Sequence, residues 1–168
     1  MFKNKMVLEA LKFAVKAHGE QKRKYTGDPY IVHPIEVAEI VSGGDHTDAM
    51  LAAALLHDVV EDTDATLDDL KKIFNIEVVA LVDELTDISK PEDGNRAVRK
   101  ALDRAHIASA SNAAQIIKCA DLISNTSSIG QFDPNFARVY LAEKRALLDV
   151  MSIKGHPLHT RAMELTNE

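Results

Sequence analysis

Apolar residues recur every three or four positions along most of this chain and alternate almost nowhere, which is helical spacing. Met6, Leu8, Leu11, Phe13, Ala14, Val15 and Ala17 draw the stripe of an amphipathic first helix. Gly27, Asp28 and Pro29 break the pattern, so Gly19 to Pro29 reads as a loop. Pro34 suits the first residue of a second helix, Ile35 to Val41, which Gly43 and Gly44 end. Thr47 or Asp45 can cap a third helix that runs through Ala54 to His57. Thr66 with Asp69 resembles an N-cap followed by an acidic first turn, and Leu67, Leu70, Ile73 and Phe74 carry helical spacing. Glu77 to Leu85 continues in the same manner. Lys90 to Asn95, with Pro91 and Gly94, is a polar loop. Arg96 to Ala108, Ala113 to Ile129 and Pro134 to Met151 predict three further helices. A short β-hairpin near Tyr25 to Tyr30 is the only strand candidate. The pattern weakens after Gly155, which predicts a loosely attached C-terminal tail over 156–168. The expectation is an all-α helical bundle forming one domain over 1–155.

Composition narrows the function classes. At 168 residues the chain can bury a sizeable core. A net charge of -6 argues against general nucleic-acid binding, yet leaves room for a local basic pocket that holds a small anion. The single Cys119 cannot form an internal disulfide, which suits a reducing compartment and a cytoplasmic location. Met1 leads into Lys3, Lys5 and an amphipathic run, not an apolar signal sequence, and no stretch is long enough to span a bilayer. No membrane partner is expected, and oligomeric state is left open.

The chemistry concentrates in His57-Asp58-Val59-Val60-Glu61-Asp62-Thr63, directly after the apolar run Met50 to Leu56. Burying charge without partners is expensive, so a carboxylate-rich segment leaving a core helix needs a reason, and a metal ion is the commonest. Helical spacing of four puts Glu61 over His57 and Asp62 over Asp58. His57 and Asp58 reach one ion most easily beside the end of the helix, which Asp62 to Ala65 resembles. Two other segments offer ligands. His33 precedes Pro34, which predicts extended backbone at His33 and so directs its imidazole. Asp121 interrupts the apolar run Ile116 to Leu122, either as a metal ligand or as the partner of Lys118 one turn back. Imidazoles and carboxylates without thiolates make an open, mixed site that suits Mn²⁺ best, and also Fe²⁺, Mg²⁺ or Zn²⁺. Such an ion lowers the pKa of its water, and Glu61 and Asp62 are placed to orient that water and take its proton.

His33, His57-Asp58 and Asp121 together resemble the metal signature of the HD phosphohydrolases. The resemblance extends through Gln21 to Lys24, Gly27 to Pro34, Ala54 to Thr63, and Lys118 to Asp121 with Asn125. These segments look like the hydrolase domains of RelA/SpoT homologues, of the small stand-alone alarmone hydrolase type, and cover most of the chain. The Glu-Asp pair after the His-Asp pair is its most specific mark. The resemblance implies one Mn²⁺ on His33, His57, Asp58 and Asp121, with Glu61 and Asp62 serving the attacking water. It implies that Arg23 and Lys24 meet the guanine base and phosphates, since a guanidinium stacks well on a flat base. Asn125 would contact the nucleoside. Lys118 and the helix bearing Arg96, Arg99, Lys100 and Arg104 would face phosphates, although basic residues on a helix also serve simply as a solvated face.

The sequence departs from the family pattern in two places. One residue is inserted between Lys24 and Gly27. Leu122 and Ser127 stand where basic residues are usual, directly after the metal Asp and two beyond the Asn. The implied activity is hydrolysis of the 3′-pyrophosphate of ppGpp or pppGpp to GDP or GTP and pyrophosphate. The alternatives are a metal-dependent phosphatase on NADPH or a nucleoside monophosphate, and a nucleotide-binding sensor without catalysis.

Overall fold

The structure is a computed structural model that describes residues 4–167; side chains at 127, 128, 130, 131 and 134 lie outside the described set. The sequence readings at Lys3 and Ser127 therefore fall outside it. The chain divides into two compact units at a boundary between Thr86 and Asp87 in the sequence.

The first unit is built around a helix that has no polar face. α3 (Asp48–Leu56) buries every residue from Ala49 to Leu56. A helix apolar all round must be covered on all sides. Here α1 (Lys5–His18), α2 (Val32–Ser42) and α6 (Ile76–Leu85) lie against it. Thr47 caps α3, its hydroxyl accepting the Met50 N–H at 3.1 Å. α4 (Val59–Asp62) and α5 (Leu67–Lys71) are short. The Thr66 and Asp69 capping box forms. The helical spacing through Ile73 and Phe74 does not continue into α6, because Asn75 caps a new helix by accepting the Val78 N–H at 3.0 Å. The predicted hairpin is reduced to an isolated antiparallel bridge, Lys22 to Pro29. Gly27 makes its turn at φ 75°, a conformation that side-chain-bearing residues avoid.

α2 starts earlier than Pro34 predicts. Val32 opens it, and His33 lies inside its first turn, donating its N–H to Tyr30 O at 2.9 Å. The missing N–H of Pro34 falls among the first four of a helix, which lack intrahelical partners anyway. Proline therefore costs no hydrogen bond there. His33 is helical rather than extended, and helix geometry directs its ring.

In the second unit, α8 (Asn112–Phe132) packs against α9 (Pro134–Val150) and α10 (Pro157–Leu165), and α7 (Arg96–Ser109) against α9. A 3₁₀ turn, Pro91–Asp93, occupies the expected polar loop. Where the weakening pattern predicts a loose tail, α10 forms instead. It buries His159 and Ala162 and places His159 Nε2 2.9 Å from Leu148 O. Two buried polar residues fasten this unit. Asp103 accepts from the N–H groups of Ile88 and Ser89, at 3.1 and 2.9 Å, and from the Ser89 hydroxyl at 2.9 Å. Gln115 donates to Ile107 O and Ala110 O and accepts from the Ser152 N–H and hydroxyl, at 3.1, 3.3, 2.9 and 3.0 Å. Among the described residues no helix is long and apolar enough to cross a membrane.

Gln115→Met keeps the volume of that side chain and removes all four bonds. Stranding their partners lowers the unfolding free energy by about 1–3 kcal/mol, read by urea denaturation.

Candidate metal centre

The end of α3 builds the site. The last carbonyls of a helix have no intrahelical N–H to accept. His57 turns back on one of them, its Nδ1 2.8 Å from Ala54 O. A carbonyl only accepts, so Nδ1 carries the proton. In the neutral ring Nε2 is then a lone pair, the form that ligates a metal. The helix does not run on through the motif as its spacing suggests. α3 ends at Leu56, His57 and Asp58 form a turn, and α4 restarts at Val59. The Asp62 N–H reaches Asp58 O at 2.9 Å, so Asp58 and Asp62 keep their four-residue relation across the restart. Val59 is fully buried and anchors α4, while Glu61 and Asp62 are exposed to solvent.

Three side chains meet at this end of the unit. His33, His57 and Asp58 each offer a ligand atom, all within 4.8 Å of one another. Asp58 Oδ2 is the focus, 3.1 Å from His57 Nε2 and 3.5 Å from His33 Nε2. Both imidazoles are only 2% exposed. With its Nδ1 proton on Ala54 O, the His57 ring meets Asp58 Oδ2 acceptor to acceptor, and a cation among the three groups relieves this. The donor set therefore fits a divalent ion.

Tyr30 is a member of this cluster that the sequence reading did not single out. Its hydroxyl donates to Asp58 Oδ2 at 2.6 Å. Burial, and then the Asp58 and Asp62 carboxylates, hold its phenol far above the usual tyrosine range, so it acts as a donor. Its place three residues before His33 is the only signal the sequence offers.

Five of the predicted basic residues, Arg23, Lys24, Arg96, Lys100 and Lys118, are engaged. In the first unit, Arg23 Nη1 donates to Glu36 at 3.0 Å, and Lys24 lies 5.1 Å from the centre of the Tyr25 ring. In the second unit, Arg96 binds Glu143 through two nitrogens at 2.8 Å and stands over Phe136. Lys100 reaches Asp87 at 3.1 Å. Asp121 is buried; Lys118 pairs with it at 3.0 Å and Asn125 donates to it at 2.6 Å. The Lys118 alternative raised for Asp121 is thus realised as an ion pair. Leu122, one of the two departures, is buried in the core.

The second unit also holds a cavity of about 50 Å³, lined by Lys100, Arg104, Lys118 and Lys144 and by three carboxylates. Burial, and then Lys118 and Lys100, push the Lys144 amine down to about 8. Cys119 is buried too, which raises its thiol to about 12 and leaves it inert near neutral pH.

The HD domain family matches residues 10–129. The guanosine-3′,5′-bis(diphosphate) 3′-pyrophosphohydrolase MESH1 of Homo sapiens is 40% identical over 134 residues, 76% of this chain and 72% of that protein. The Xenopus tropicalis protein of the same name is 38% identical over 135 residues, 77% of this chain and 72% of that one. A solved structure described as a metazoan orthologue of SpoT that hydrolyses ppGpp is 30% identical, with a TM-score of 0.87 over 99% of this chain and 97% of that chain. The His-Asp cluster at the end of α3 is thus set within a match that spans well over half the sequence, and the chain belongs to the HD domain family.

Proposed function

We propose that this protein is a metal-dependent pyrophosphohydrolase. It removes the 3′-pyrophosphate of ppGpp or pppGpp, with water, to give GDP or GTP and pyrophosphate, and so acts in the stringent response. The observation that carries this reading is the convergence of His33, His57 and Asp58, followed by the exposed acids Glu61 and Asp62. Relatives about 40% identical carry that activity in their names.

His33, His57 and Asp58 hold one divalent cation, and Mn²⁺ suits their nitrogen and oxygen donors. Asp121 keeps the ligand role that the family resemblance gives it. The bound ion supplies Lewis acidity and a lowered pKa for water. Glu61 and Asp62 project from α4 into solvent, where they orient the attacking water and accept its proton. Arg23 and Lys24 recognise the base and phosphates. Asn125 meets the nucleoside, and Lys118, Arg96 and Lys100 neutralise phosphate charge. Each of these cations except Lys24 now holds a carboxylate, so an incoming phosphate exchanges one anion for another.

The buried Leu122 favours keeping a second substrate class in view, NADPH or a nucleoside monophosphate, because a usual cation is absent there. A panel of ppGpp, pppGpp, NADPH and nucleoside monophosphates with Mn²⁺ separates the readings. The expected result is release of pyrophosphate from ppGpp or pppGpp, lost on chelation. Preference for a substrate without a 3′-pyrophosphate refutes the assignment, and ppGpp binding without turnover makes the protein a sensor.

Glu61→Gln retains Mn²⁺ affinity and lowers kcat by about 10²–10⁴-fold, the usual share of a general base. Normal turnover removes Glu61 from its role. Asp121→Asn weakens Mn²⁺ by more than the roughly 10–100-fold typical of an outer-sphere change. Unchanged Mn²⁺ affinity in a calorimetric titration leaves Asp121 as only the ion-pair partner of Lys118.

A further inference from the structure

Tyr30 occupies a place that packing alone does not explain. Its backbone is pinned twice, by its N–H to Gln21 O at 2.8 Å and by its own carbonyl accepting the His33 N–H at 2.9 Å. Its ring stands 4.7 Å from the ring of His18, tilted by 36°, and 5.8 Å from that of His33, edge-on. His18 is itself buried and held by Gln21, Nδ1 to Oε1 at 2.9 Å. One residue, Gln21, therefore fixes both the backbone of Tyr30 and the ring beside it. All of this delivers a single hydroxyl to the oxygen on which His57 and His33 converge.

A carboxylate on a short side chain can rotate about its terminal bond at little cost. Asp58 lies in the turn between two helices, where its side chain makes no hydrogen bond to the end of α4 that would hold it. The Tyr30 hydroxyl, donating to Oδ2 at 2.6 Å, opposes that rotation and keeps this oxygen turned toward the imidazoles. We infer that Tyr30 is the positioning residue of this metal centre: its hydroxyl fixes the rotation of the Asp58 carboxylate and thereby sets the affinity for the divalent cation. The inference rests on the metal-site reading above. His18 and Gln21 act through Tyr30, as the brace that keeps the phenol from swinging away.

Tyr30→Phe deletes one oxygen and keeps the ring against His18 and His33. The test is Mn²⁺ binding to the purified protein, followed by electron paramagnetic resonance, beside thermal unfolding with and without Mn²⁺. The expected result is an apo unfolding midpoint close to that of the parent, Mn²⁺ affinity weaker by about 10–100-fold, and a smaller upward shift of the midpoint on adding Mn²⁺. Equal Mn²⁺ affinity in parent and variant overturns the proposal. So does a variant that fails to fold without metal, since the hydroxyl then serves stability. If the parent protein itself binds no Mn²⁺, the metal-centre reading fails instead, and the two failures are told apart in one titration.

Discussion

The molecule is organised by an electrostatic problem at one oxygen atom. Asp58 Oδ2 faces His57 Nε2 and His33 Nε2, whose rings are only 2% exposed. The hydrogen bond from His57 Nδ1 to Ala54 O removes the easy solution, in which that ring would turn its N–H toward the carboxylate. What is left is to add positive charge, either a second proton on an imidazole or a metal ion. A buried imidazolium satisfies only one direction of the carboxylate and keeps its own desolvation cost. A divalent ion satisfies both imidazoles and the carboxylate together. Lewis acidity where these groups meet is the chemistry that phosphoryl transfer to water requires.

That arrangement depends on a helix with no polar face. α3 contributes Ala52, Ala53 and Ala54, small residues that let other helices of the unit come close. Such a helix offers solvent nothing along its length, so polar chemistry is confined to its ends. Its C-terminal end is where carbonyls lack partners, and His57 supplies one N–H there while presenting its other nitrogen inward. Packing and chemistry are thus coupled through a single ring. A change that loosens α3 also misdirects the ligand.

Much of this was legible in the sequence, and the failures have physical causes. Period and caps located most helices, because Thr47, Thr66 and the Gly43-Gly44 pair mark ends by local hydrogen bonding and backbone freedom alone. The helix break at His57 and Asp58 was not legible. Both residues keep right-handed helical dihedrals, so no glycine or proline announces the turn. Pro34 misled for a related reason: proline is tolerated through the first turn of a helix, so it bounds a start to a few residues without naming it. α10 was missed because its burial comes from tertiary packing of few apolar residues, which short windows do not register. Tyr30 was missed because nothing local distinguishes a tyrosine that donates to a ligand from one that only packs. The candidate ligands His57 and Asp58 were readable because a carboxylate-rich segment beyond a buried apolar run needs partners, and the structure groups them with His33.

The ion pairs that occupy the basic side chains carry one more consequence. Arg96 and Glu143 are partly exposed, 49% and 23%, and such pairs contribute little to stability, so under the proposed role of Arg96 a phosphate displaces the carboxylate cheaply. Lys118 and Asp121 are more enclosed, 14% and 7%, so separating them costs more unless both gain new partners at once. Under the proposed roles, a cation for Asp121 and a phosphate for Lys118 do that together. Neither ligand alone relieves both charges. If Asp121 is a metal ligand and Lys118 a phosphate contact, as proposed, metal and substrate bind with positive cooperativity, each lowering the cost of admitting the other.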